Sequence, residues 1–119
     1  MAAMKIDRRT AGDVTIMAFA GEIDSDNLPA ARDETDEVIQ AGCERLVFNV
    51  GQLAFINSSA LAYLITVHKR VQSMDGELVF SEPSRFFQTT IQHLGLEREF
   101  KVFPDDRAAL EHLGAAGTA

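Results

Sequence analysis

The chain alternates short apolar runs with longer stretches in which apolar residues recur every three to four positions. Lys5 to Thr10 and Val14 to Ala20 read as two strands around the turn Ala11-Gly12-Asp13, the second by its period of two. In the second strand Val14, Ile16 and Ala18 share one face and Thr15, Met17 and Phe19 the other, so both faces are expected to be covered. Gly21-Glu22-Ile23-Asp24 ends it. A helix follows from about Asn27 to Ala41, striped by Leu28, Ala31, Thr35, Val38 and Ile39. Pro29 suits its first turn, where no N–H partner is needed, and Gly42 stops it.

Arg45 to Val50 is a mostly apolar strand of the kind found in the middle of a sheet, and residues 51–56 read as a linker. The most regular amphipathic stretch comes next, from about Ser58 to Met74, with Leu61, Leu64, Ile65, His68 and Val71 at helical spacing. Asp75-Gly76 turns the chain into a strand, Glu77 to Ser81. A third helix opens at Pro83-Ser84, turns Phe86, Phe87, Thr90, Ile91 and Leu94 inward, and closes at Gly95. Phe100 to Phe103 is a brief strand, and Pro104-Asp105-Asp106 starts a last helix through Ala109, Leu110 and Leu113. The order is ββαβαβαβα. Alternating strands and helices imply an α/β fold with a central, mostly parallel sheet of about five strands, the N-terminal one antiparallel, and about four helices. Residues 1–113 form one domain on this reading, and residues 114–119 form a loose, flexible C-terminal tail.

Composition narrows the function by exclusion. The 119 residues carry a formal net charge of -7, which argues against nucleic acid or an anionic membrane surface as partner. No apolar run reaches the ~20 residues that span a bilayer, so no membrane insertion is expected. The first residues lack the apolar segment of a secretory signal. The single cysteine, Cys43, has no internal disulfide partner, and a reducing cytoplasm is the expected location.

Catalytic patterns are missing as well. There is no Gly-x-Ser-x-Gly elbow to make Ser58 or Ser59 a hydrolase nucleophile, and no Gly-rich phosphate loop. His68, His93 and His112 lack metal-ligand spacing. His68, beside an apolar stripe, reads as a buried and satisfied histidine, and the other two sit near helix C-termini, where a cation is favoured. Asp33, Glu34, Asp36 and Glu37 read as the solvated face of a helix, with no metal needed. Cys43 follows a helix stop and reads as inert. A non-enzymatic protein without metal or other cofactor is the expectation.

The start of the second helix stands apart. Asn57, Ser58 and Ser59 are short polar residues where helical N–H groups lack partners, so capping is their first role. The run Phe55-Ile56-Asn57-Ser58-Ser59-Ala60-Leu61, following an apolar strand, resembles the central Asp-Ser-Ser-Gly-Leu signature of the STAS family. That family comprises the bacterial anti-sigma-factor antagonists and the cytoplasmic domains of sulfate transporters. Gly21-Glu22-Ile23-Asp24 resembles its Gly-Glu-Leu-Asp, and Asp75-Gly76-Glu77-Leu78 its Gly-Gly-x-Leu. Leu94-Gly95-Leu96, followed by Phe100 and Phe103, resembles its third-helix exit. The likeness runs over about residues 5–113.

The resemblance implies a protein-binding regulator whose partner is an anti-sigma factor with serine kinase activity. Ser58 is then the phosphate acceptor, and the partner-facing residues are Glu22, Asp24, Phe55, Asn57, Ser58, Ser59, Ala60 and Leu61. Two spellings differ from the signature: Asn57 stands for the aspartate and Ala60 for the glycine. Asn caps as well as Asp but removes a charge beside the acceptor; Ala adds a methyl and favours helix by up to ~1 kcal/mol. Other family roles stay open, namely an accessory subunit of a phospholipid-transport ATPase or a component of a large sensory scaffold. The oligomeric state, monomer or weak dimer, is not fixed by the residues.

Overall fold

A computed structural model describes residues 3–114; most of the tail expected at 114–119 lies outside the described residues. The elements are β1 (Met4–Ala11), β2 (Val14–Ile23), α1 (Leu28–Gln40), β3 (Arg45–Ile56), α2 (Ser58–Ser73), β4 (Glu77–Ser81), α3 (Arg85–His93), β5 (Val102–Phe103) and α4 (Asp106–Leu113). They form one five-stranded sheet in the order β1-β2-β3-β4-β5. β1 runs antiparallel to β2, and all other neighbours are parallel.

The two-faced β2 has the consequence its pattern predicts. Met17 and Phe19 enter the main core with Leu46, Phe48, Leu78 and Phe80, beneath the apolar faces of α1, α2 and α3. Val14 and Ile16 face the other way and join Val47 and Val79 under Ala109, Leu110 and Leu113 of α4. Aromatic rings run through the larger core: Phe19 meets Phe48 at 5.0 Å, Phe48 meets Phe80 at 6.0 Å, and Phe80 meets Phe100 at 4.7 Å. Such offset and edge contacts add to the area each ring buries.

Several elements differ from the sequence-based expectation. β2 continues past Ala20 to Ile23, since Glu22 N–H bonds the Ala3 carbonyl at 2.9 Å and β3 supplies partners on the other side. Residues 51–56 are strand: β3 keeps pairing with β2 through two register shifts, and those shifts break the alternation that marks a strand in sequence. β5 is only two residues long, yet Phe100 before it is 1% exposed, because its ring is core rather than ladder.

Helix faces shift slightly too. α1 buries Leu28, Ala31, Thr35, Val38 and Ile39, the stripe its spacing predicts. α2 buries Ala60, Leu64, Val67, His68 and Val71, whereas Leu61 and Ile65 are only half-buried flanks. α3 ends at His93, so Leu94 falls outside it and is exposed instead of facing inward. The acidic face of α1 is not simply solvated. Arg8 of β1 pairs with Glu34 at 2.9 Å and Glu37 at 3.3 Å, and Arg70 of α2 pairs with Asp36 at 2.9 Å.

Candidate functional site

β3 delivers the chain to the first turn of α2 at the C-terminal edge of the sheet, where loops and helix starts collect. Asn57 is the N-cap. Its backbone is extended, and its Oδ1 accepts the Ala60 N–H at 2.9 Å. Its own N–H reaches the Ile23 carbonyl at 3.1 Å, and its side-chain amide donates to Ser25 Oγ at 3.1 Å. One residue therefore caps the helix and fastens it to the β2–α1 loop. An aspartate at this position keeps the cap but has no proton to give Ser25.

That loop is itself well tied. Asp24 Oδ1 accepts the N–H groups of Asp26 at 2.9 Å and Asn27 at 3.1 Å. Asn27 Oδ1 accepts the Asp24 N–H at 2.9 Å, and its amide donates to the Glu22 carbonyl at 2.9 Å. Asn27 thus bonds back into the loop and makes no side-chain cap for α1.

Ser58 and Ser59 occupy the first two positions of α2, and both are exposed. Asn57 already satisfies the cap, and neither serine hydroxyl has a hydrogen-bond partner among the described residues. Ser59 also lines a groove of about 360 Å³ with Ser25, Leu28, Pro29 and Arg32.

The apolar part of the surface is Phe55, 43% exposed, with its ring 5.5 Å from that of Phe86 on α3. Glu22 is the register partner of Phe55 across β2 and β3, which sets a carboxylate beside the aromatic pair. Ala60 belongs elsewhere. At 1% exposure it fills the main core and meets the site only through its N–H, so its methyl is not offered to a partner. Leu61 packs against the core and is half-buried. Ser25, Asn27 and Phe86 were not legible as site residues: the two polar ones look like loop, and nothing local ties Phe86 to Phe55.

Further along α2 a polar clamp fixes the helix against α1. Burial, then the neighbouring Asp36 carboxylate, pushes the Tyr63 phenol up to about 12. It stays protonated and donates to Asp36 at 3.3 Å and to the Arg32 carbonyl at 3.4 Å. Arg32 also lies over the Tyr63 ring at 5.1 Å.

Chemically the site is an exposed hydroxyl at a helix N-terminus, flanked by an aromatic pair and carboxylates of β2 and the loop after it. Among the described residues no three His, Cys, Asp or Glu side chains converge as a metal site. No helix among them is long and apolar enough to cross a membrane.

The chain resembles known proteins over nearly its whole length. The profile of the STAS domain matches residues 5–109. An anti-sigma F factor antagonist of Paenibacillus polymyxa is 26% identical over 101 residues, covering 84% of this chain and 86% of that protein. The crystal structure of an anti-sigma factor antagonist from Mycobacterium paratuberculosis superposes with a TM-score of 0.85 at 19% identity, covering 94% of this chain and 95% of that one. The phosphorylated form of the Bacillus cell fate determinant SpoIIAA superposes with a TM-score of 0.71 at 18% identity, over 92% of this chain and 98% of that one. The last two likenesses bear on the fold alone. A sheet of this order, a serine-bearing helix start after its third strand and a profile match over most of the sequence lead to one assignment: the chain belongs to the STAS domain family.

Proposed function

We propose that this protein is an anti-sigma-factor antagonist, a cytoplasmic regulator without catalytic activity. It docks on an anti-sigma factor that is also a serine kinase and is released when that kinase phosphorylates Ser58. The observation that carries the reading is the division of labour at the start of α2. Asn57 does the capping, which leaves the Ser58 hydroxyl exposed and unbonded on that turn. The antagonist relatives support the same role.

The energetics give a switch. Phosphoserine adds about -1.5 to -2 charges and three strong acceptors. At a helix N-terminus the domain gains roughly 0.3–1 kcal/mol from that charge, so the fold survives. A partner that buries Phe55 and the Ser58 turn has to bury the dianion as well, at a cost of several kcal/mol, which changes affinity by orders of magnitude. Glu22, Asp24, Phe55, Asn57 and Ser59 complete the docking surface, with Leu61 at its margin.

The kinase reading is tested by incubating the protein with ATP and the anti-sigma factor encoded beside it, then mapping phosphate by mass spectrometry. One phosphate on Ser58, absent from Ser58→Ala, is expected. An active kinase that leaves Ser58 unmodified contradicts the reading, and recovery of transporter subunits as the bound partners replaces it with the accessory-subunit role.

A further inference from the structure

The two edges of the sheet are unequal. β5 offers two residues before Pro104, whereas β1 leaves an outer side of 8 residues. Glu22 N–H bonds the Ala3 carbonyl, and the β1–β2 register runs on from that pair without a shift. An antiparallel ladder alternates residues that exchange both bonds with the neighbouring strand and residues whose backbone groups point away from it. Ala3, Lys5, Asp7, Arg9 and Ala11 therefore bond to β2, and Met4, Ile6, Arg8 and Thr10 turn their N–H and C=O groups outward. Among the described residues those outward groups have no partner. β1 also contains neither proline nor bulge, two common devices that keep an open edge from pairing.

Its charges are of two kinds. Arg8 is held by Glu34 and Glu37 of α1, and Arg9 by Asp106 of α4. Lys5 and Asp7 are not held. They stand 4.0 Å apart along the strand with side chains 75% and 74% exposed, a pairing that contributes little by itself.

We propose that β1 pairs with β1 of a second copy of this chain, antiparallel about a two-fold axis at Ile6, so that Lys5 of each copy faces Asp7 of the other. The register follows from the residues. An axis at Lys5, Asp7, Arg8 or Arg9 would set a charged side chain against its own copy, which is destabilising. An axis at Ile6 brings two apolar side chains together and makes the Lys5–Asp7 contact twice, in the closer pairs that carry no hydrogen bonds. The outward groups of Met4, Ile6 and Arg8 then form roughly six backbone hydrogen bonds between the copies. The sheet runs on through both chains, with the axis perpendicular to it. The two Ser58 turns consequently lie at opposite ends and stay open. A strand edge is small beside the ~1,200–2,000 Å² of stable interfaces, and a net charge of -7 on each chain opposes approach, so the association is weak.

Sedimentation equilibrium between about 10 μM and 1 mM, in ~0.15 M salt, is expected to show a monomer–dimer transition with its midpoint inside that range. Amide exchange followed by NMR is expected to slow at Met4, Ile6 and Arg8 as concentration rises, while amides bonded to β2 hardly change. Lys5→Asp and Asp7→Lys, both at exposed positions, each turn the two contacts across the axis into like-charge pairs. Each variant alone is expected to associate at least about tenfold more weakly than the parent. Mixed together, the two variants complement each other in this register, and a mixed dimer of about the parent's affinity is expected. A monomer mass over the whole range, single variants that associate like the parent, or a mixture that gains nothing would each overturn the proposal. So would protection of Met4, Ile6 and Arg8 that arises only on adding the anti-sigma factor, which would give this edge to that partner.

Discussion

At the scale of single residues, Asn57 caps α2 and leaves the neighbouring Ser58 hydroxyl free for the proposed phosphate. Replacing Asn57 by Ala removes the acceptor for Ala60 N–H and the donor to Ser25, and should cost about 1 kcal/mol or somewhat more in urea unfolding. Asn57→Asp keeps the acceptor and should lose much less. Ser58→Ala, at an exposed and unbonded hydroxyl, should stay within ~0.5 kcal/mol of the parent. A large loss for Ser58→Ala would mean that the serine, not Asn57, holds the helix start.

His68 has a pH consequence at the same scale. Its folded pKa is depressed by burial, so the unfolded chain takes up a proton that the folded one refuses. Stability is therefore expected to fall as pH drops below the ordinary histidine value of about 6.5 and to level off below the folded pKa. Unfolding midpoints measured between about pH 7.5 and pH 5 should show this slope, and His68→Gln should flatten it. Glu77 acts at lower pH. Burial there opposes ionisation, but the His112 hydrogen bond and charge, together with Lys101, outweigh it and hold the carboxyl below its usual value. Its contribution is present above the ordinary glutamate range and is lost as the folded group protonates.

At the scale of elements, the turn from α2 into β4 leaves no room for a side chain at Gly76. A Cβ on Gly76 would lie 2.3 Å from the Glu44 carbonyl oxygen and 2.9 Å from Val71 Cγ1. The backbone it would strike is already committed, since Glu77 N–H bonds that same carbonyl at 2.8 Å. Gly76→Ala should cost on the order of 2 kcal/mol or more, read as a lowered urea midpoint or loss of soluble protein. The elements also show which parts of the fold the residues disclose. The stripe of α1 and the two apolar faces of β2 follow from spacing, because each lies in one regular element against one layer. The second half of β3 stayed hidden. Its pairing depends on two register shifts against β2, and a shift erases the period-two signal while leaving the hydrogen bonds. Leu94 was misplaced because helical spacing does not reveal that α3 stops one residue earlier. The serine turn was legible as a motif. Its surroundings were not, because Phe86 and Ser25 reach it through tertiary contacts.

At the scale of the whole molecule, the sheet gathers the proposed docking residues at one edge and leaves the fold independent of them. Phe55 is half outside the core, so Phe55→Ala should change stability little. As an aromatic anchor at an interface it should nevertheless cost about 2 kcal/mol or more of partner affinity, measured by calorimetric titration. Phosphate on Ser58 should likewise leave the thermal midpoint intact or slightly raised while acting on the complex. The most direct measurement is the affinity of the neighbouring anti-sigma factor for this protein before and after stoichiometric phosphorylation of Ser58. The account predicts a loss of at least about a hundredfold with no change in fold; equal affinity in the two states would contradict it.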